Sequence, residues 1–191
     1  MLRVGIDFSL SSPALYAMNS KNESFILSFQ QRKTDPPLVR VKVSDTTWLW
    51  RLPYPLTVDD RWEKVIYIIS EVFRWLDEIR EGAPVHAYIE HYALGMSHSD
   101  SVSKLCELGG VLRHELGKRR WAFRELAVST VKKQFASYGH AEKWQMYESY
   151  KAYGYPELSE TLSCETHQHP YEDIVDACAV LVTGLILDKY V

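Results

Sequence analysis

Residues 2–8 read LRVGIDF, a short apolar run that ends at Asp7. ALYAMN (14–19) and SFILSFQQ (24–31) follow at short spacing, with SSP (11–13) and SKNE (20–23) as turn segments between them. Three such runs in succession predict an antiparallel meander that opens a sheet. Further along, the period changes. Over residues 58–80, Trp62, Val65, Ile66, Ile69, Val72, Phe73 and Leu76 recur at helical spacing, and Asp59 and Asp60 stand near the start, where the helix dipole favours anions. PVHAYIEHY (84–92) predicts a strand ending near Glu90, and residues 99–118 a helix capped by Ser99 or Asp100. WAFRELA (121–127) predicts one more strand. STVKKQFASYG (129–139) and AEKWQMYESYKAYG (141–154) predict two helices divided by a glycine turn at Gly139, and a last helix runs from Tyr171. The order βββ-α-β-α-β-α-α predicts a single α/β domain: a mixed central sheet of three antiparallel strands and then parallel strands, flanked by helices. Residues 32–57 hold Pro36, Pro37, Pro53 and Pro55 beside Trp48, Trp50 and Tyr54. They read as an irregular insertion, with a candidate hairpin around LVRVKV (38–43).

A length of 191 residues suits one domain with a sizeable core, and 46% hydrophobic with 25% charged residues is ordinary for a soluble protein. No run of eighteen apolar residues predicts a membrane span, and MLRVGIDFSL lacks the apolar core and cleavage site of a secretory signal, so the expectation is a cytoplasmic protein. Cys106, Cys164 and Cys178 are far apart and odd in number, which disfavours a disulfide framework or a zinc site. The formal net charge of -3 argues weakly against a nucleic-acid partner. Net charge hides patches, however. RHELGKRRWAFR (113–124) groups Arg113, Lys118, Arg119, Arg120 and Arg124, and Lys132 and Lys133 follow. The segment is either a solvated helix end or a surface for phosphates.

HPYEDIVDACAVLVTG (169–184) begins with three carboxylates and continues almost wholly apolar. Asp173 and Asp176, three apart, share one face of the helix's first turn. Asp176 is surrounded by core-facing positions, where a bare carboxylate needs a partner. Glu172 reads as an ordinary first-turn acid. Asp7 and Glu90 end two strands. Four acids meeting at one sheet edge would repel one another unless a cation neutralised them. Hard oxygen donors suit Mg²⁺ or Mn²⁺, and four carboxylates suggest two ions clamping the two oxygens of a phosphodiester displacement.

Four blocks, in order, carry a family likeness: VGIDFSLSSPAL; YIEHYALG with SDSVSKLCELGGVLRHEL; ELAVSTVKKQFASYGHAEKWQM; and HPYEDIVDACAVLVTG. The sequence resembles RuvC-type Holliday junction resolvases of the RNase H-like superfamily. The resemblance implies an RNase H-like fold and a metal-dependent endonuclease that resolves four-way DNA junctions, with Mg²⁺ or Mn²⁺, two ions per site, as cofactor. It matches Asp7, Glu90, Asp173 and Asp176 to the metal-binding acids, and Lys132 and Lys143 to lysines beside the scissile phosphate. It implies a homodimer, for which the helix around residues 102–116 is a candidate interface; Val102, Leu105, Leu108, Val111 and Leu112 fit an interface or plain core. It places Arg113, Lys118, Arg119, Arg120 and Lys133 near DNA, and a side chain of the loop after Glu90 (Tyr92, Leu94 or Met96) inside the opened junction. His167 and His169 read as loop histidines or as helpers of a metal or phosphate. Phe8-Ser9, where many cellular members carry Pro-Gly, and the long 32–57 segment are similar to phage-encoded relatives. Rival readings are another RNase H-like nuclease acting on hybrids or flaps, a non-catalytic junction binder, and a sugar-kinase or actin-like domain. The chain is short for two lobes of that last kind and lacks their glycine-rich phosphate loops.

Overall fold

The computed structural model describes residues 1–8, 12–30, 39–53, 60–91, 99–166 and 168–189, with the side chains of residue 30 and residues 99–105 left aside. The expected meander is present. β1 (Leu2–Asp7), β2 (Ala14–Met18) and β3 (Ser24–Gln30) pair antiparallel in sequence order. The turn between β2 and β3 is held by Asn19, whose Oδ1 accepts from the backbone N–H of Lys21 (2.9 Å) and Glu23 (3.0 Å), and Asn22 takes the positive φ of 62° that this turn requires.

The segment read as irregular is partly sheet. β4 (Val39–Lys42) and β5 (Thr47–Pro53) form a hairpin, and β5 adds parallel to β3. Both faces of β5 are covered at its centre: Thr47 and Leu49 are buried on one, Trp50 and Leu52 on the other. Arg40 on β4 lies over the Trp48 and Trp50 rings at 4.5 and 4.6 Å from their centroids, so the tryptophans are covered within the hairpin.

α1 (Arg61–Ile79) starts at Asp60, whose carboxylate accepts from the Glu63 N–H at 2.9 Å. Its buried stripe is Val65, Ile68, Ile69, Val72, Phe73, Trp75, Leu76 and Ile79, while Trp62 and Ile66 face solvent. The apolar pattern is wide enough to leave the phase ambiguous, and packing against Phe29, Leu52 and Trp50 selects it. β6 (Val85–His91) joins β1 in parallel, α2 (Ser99–Lys118) crosses over, and β7 (Ala122–Ala127) joins β6 in parallel. The sheet order is β4-β5-β3-β2-β1-β6-β7.

α1 and α2 cover one face. α3 (Val128–Ala136), α4 (Lys143–Ala152), the single turn α5 (Ser159–Leu162) and α6 (Tyr171–Leu187) cover the other. Leu108 and Leu112, weighed as an interface, are fully buried under the chain's own α1 face and Val111 packs beside them; the side chains of Val102 and Leu105 lie outside the described residues. The turn between α3 and α4 uses Ser137, at φ 62°, and not Gly139, as its left-handed residue.

α6 is buried on nearly every side, which explains its apolar composition. It lies against β1 and β6 at a distance only glycine permits. A methyl group on Gly5 would stand 2.8 Å from Leu181 Cβ and closer still to the backbone of Ala177 and Leu181, and one on Gly184 would enter the Tyr88 ring.

Candidate active site

Strand register sets the first two acids. Ile6 pairs with Ile89 in the parallel β1–β6 ladder, so Asp7 and Glu90 follow at the same level on adjacent strands, whose backbones run roughly 4.8 Å apart. Side chains alternate along a strand. Gly5 meets α6 and Tyr88 meets Gly184 of α6, so Asp7 and Glu90, two residues further on, project toward the α6 face as well. Ala177 lies over Gly5, which brings the preceding turn of α6, with Asp173 and Asp176, beside Asp7.

The electrostatics report this convergence. Burial holds the Asp7 carboxyl well above its usual range, and the charges of Asp176, Glu90 and Asp173 push it further, against the pull of Lys143. Glu90 is pushed up to about 7, by burial first and by Asp176 second, with Lys143 and Lys132 opposing. Burial also raises Asp176, against Lys143, and Asp173, against its hydrogen bond from His169. Lys143 is itself raised: burial acts to lower it, but Asp176, Glu172 and Asp7 outweigh that.

A lysine and a histidine hold the acids of α6. Lys143 Nζ donates to Asp176 Oδ2 and stands 4.0 Å from Glu172 Oε2. The His169 ring places Nδ1 2.6 Å from Asp173 Oδ2 and Nε2 3.1 Å from Glu172 Oε1, and Ser12 Oγ lies 3.2 Å from the same Nδ1. Among the described residues, the carboxylates of Asp7 and Glu90 carry no hydrogen bond or ion pair. Nor do any three acidic, histidine or cysteine side chains there already stand close enough together to hold an ion. With Asp176 drawn onto Lys143 and Asp173 onto His169, the acids converge by residue and element while their oxygens point to different partners. Hard carboxylate oxygens that raise one another's pKa are the donors a divalent cation satisfies, and residue type and placement fit such an ion.

Of the other expected residues, Lys132 lies at this edge. Its Nζ donates to the Ala141 carbonyl at 2.8 Å, and its charge acts on Glu90 and Asp176. Lys133 is exposed on α3. Lys118, Arg119 and Arg120 do not lie here. α2 leaves the end of β6 near Glu90 and runs back to the start of β7, and Glu90 pairs with Leu126. Six residues separate Leu126 from Arg120, so that cluster sits roughly 20 Å away, at the opposite sheet edge. Several of these cations are also neutralised at home. Arg119 pairs with Glu115 and lies over the Phe73 ring at 4.2 Å, Lys118 is 3.6 Å from Glu115, Arg113 pairs with Glu125, and Arg124 donates to Asp188 at 2.6 Å. Tyr92, Leu94, Met96 and His167 lie outside the described residues.

Sequence reading passed over two contributors, Glu172 and Ser12, and left His169 between a loop histidine and a helper. Glu172 belongs to the cluster and is not merely a first-turn acid; its spacing of four from Asp176 was the available signal. His169 engages two carboxylates, and buried Ser12 reaches it from the other end of the chain, a contact no local pattern announces.

No protein-family model and no curated protein matches the chain. Solved structures do match in fold. A Thermus thermophilus RuvC structure aligns with a TM-score of 0.60 at 15% identity, covering 100% of this chain and 96% of that one. T. thermophilus RuvC in complex with a Holliday junction substrate aligns with a TM-score of 0.60 at 13% identity, over the same shares. The yeast mitochondrial Holliday junction resolvase Ydc2 aligns with a TM-score of 0.54 at 15% identity, covering 95% of this chain and 76% of that one. At these identities the likeness is one of fold: the seven-stranded mixed sheet with flanking helices is the RNase H-like fold of RuvC.

Proposed function

We propose that the protein is a metal-dependent endodeoxyribonuclease that cuts branched DNA, four-way junctions above all. The observation that carries this reading is the meeting of Asp7, Glu90, Asp173 and Asp176, from two parallel strands and one helix, in a single electrostatic cluster on a RuvC-like fold. Support for the substrate comes from the fold neighbour solved with a Holliday junction.

The four acids would hold Mg²⁺ or Mn²⁺, two ions per site, which when bound supply Lewis-acid activation of a phosphodiester and of the attacking water. The chain's own part is positional and electrostatic. Asp7 and Glu90 fix the strand side of the site, and the packing of α6 fixes Asp173 and Asp176 opposite them. Lys143 releases Asp176 and turns its ammonium to the phosphate, where it stabilises charge that develops during cleavage. Lys132 adds positive charge next to Glu90. Cleavage on this scheme leaves 5′-phosphate and 3′-hydroxyl ends. Two symmetric cuts in one junction call for a homodimer. Because Leu108 and Leu112 are core, its contact must use other surfaces.

Labelled four-way junction, flap, RNA–DNA hybrid and plain duplex, each incubated with and without Mg²⁺, test the assignment. The junction should be nicked only with metal, and Asp7→Asn should abolish nicking while junction binding persists. Full activity in Asp7→Asn would refute the site, and preferential cutting of hybrid or flap would move the substrate.

A further inference from the structure

A cavity of about 430 Å³ opens one residue beyond Glu90, between the end of β6, the start of α3 and the α3–α4 turn. Its polar lining is His91, Ser129, Lys132 and His140, with no carboxylate among the lining residues. His91 lies 3.9 Å from Glu125, outside the lining. Among the described residues Lys132 Nζ donates only to the Ala141 carbonyl, which leaves two of its three donors. At the cavity's edge the Tyr138 ring meets the His140 ring edge-on, at 5.7 Å between centroids, and Tyr138 is 56% exposed. Single exposed aromatics are ordinary. Two rings in contact beside a cavity that holds a lysine, next to a candidate nuclease site, are the combination that binds unpaired nucleic acid: an ammonium for the phosphate and ring faces for the base.

We propose that this cavity is a nucleotide subsite. Resting on the nuclease reading above, it takes one unpaired nucleotide of the strand being cut, its phosphate on Lys132 and Ser129 and its base against His140 and Tyr138. The volume suits one small ligand and not a duplex. A base inside a paired stack cannot enter, whereas one unstacked at a branch can. The subsite thereby adds a preference for DNA that is already open next to the scissile phosphate.

The test measures binding by fluorescence anisotropy in the Asp7→Asn background, with a branched DNA carrying unpaired thymidines at the branch and the same DNA fully paired. Tyr138→Ala combined with His140→Ala should weaken binding to the open DNA roughly ten-fold and leave the paired DNA unchanged. Equal loss on both, or no loss on either, overturns the subsite. As a second readout without substitutions in the cavity, 5-iodouracil placed at the unpaired position should photo-crosslink to the peptide containing residues 138–140, and crosslinks confined to other peptides overturn it. If the wild type cuts branched DNA and these results fail, the subsite alone falls; if the wild type cuts no DNA at all, the nuclease reading falls and takes the subsite with it.

Discussion

Replacing Gly5 by alanine puts a methyl group where α6 already is. That carbon would stand 2.8 Å from Leu181 Cβ and closer still to the backbone of Ala177 and Leu181. Against an ordinary carbon contact of about 3.5 Å, the shortfall at Leu181 is about 0.7 Å, and at the backbone it is on the order of 1 Å. No side-chain rotation relieves a clash with backbone, so α6 must move away from β1. Overpacking of this kind costs about 3 kcal/mol, the upper end of its usual range. For a chain of this size that lowers the melting temperature by roughly 6–12 °C and leaves the protein folded at room temperature. The same movement carries Asp173 and Asp176 away from Asp7 and Glu90 by about 1 Å, a displacement that costs about 100-fold in rate. Thermal melts and Mg²⁺-dependent junction cleavage measure the two effects. Gly110→Ala is the control: nothing stands within 4 Å of a methyl group there, and in mid-helix it should stabilise by about 0.5–1 kcal/mol. A Gly5→Ala protein that melts and cuts like the wild type would show that α6 does not depend on this contact for its position.

Three further outcomes follow from the same geometry. Asp7 and Glu90 have carboxyls raised in the folded state, so the folded protein binds protons more tightly than the unfolded chain; without metal, stability should fall as pH rises from about 4.5 through about 7, the ordinary and the folded values of Glu90. Mg²⁺ should restore the melting temperature at pH 8, and Glu90→Gln should flatten the metal-free pH profile; a profile unchanged in Glu90→Gln contradicts the cluster. Lys143→Met removes the ammonium that Asp176 engages and should slow single-turnover cleavage about 100- to 1000-fold; it also leaves a buried carboxylate without its partner, so the metal-free melting temperature at pH 8 should fall and Mg²⁺ should restore it. Asp188 clamps the end of α6 to the sheet: Tyr88 Oη donates to it at 2.8 Å and Arg124 at 2.6 Å, and despite burial these partners hold its carboxyl below the ordinary 3.8. Asp188→Asn should lower the urea midpoint by the equivalent of about 1–2 kcal/mol, since Arg124 is half-exposed, with the m-value unchanged. That contribution is present above pH ~4 and is lost as pH falls below it.

Local patterns in the chain carried the meander, the helix order and the four residues proposed as metal-binding acids. Those signals are local: the apolar runs that make β1 to β3 lie next to one another in the chain, and a carboxylate at a strand end or in a helix's first turn is visible as a residue type at a spacing. Tertiary structure decided everything that depends on which face meets which. Trp48 and Trp50 became sheet residues because β5 found β3 as a partner. Trp62 and Ile66 turned outward because Trp50, Leu52 and Phe29 accept only one phase of α1. The basic end of α2 landed at the far sheet edge because a parallel crossover must carry the chain back before β7 can start. Ser12, His169 and Glu172 joined the site through contacts spanning up to 157 residues. A periodicity fixes the face an element can bury, but the partner that buries it, and so the surroundings of every charged group, is fixed only when distant segments pack.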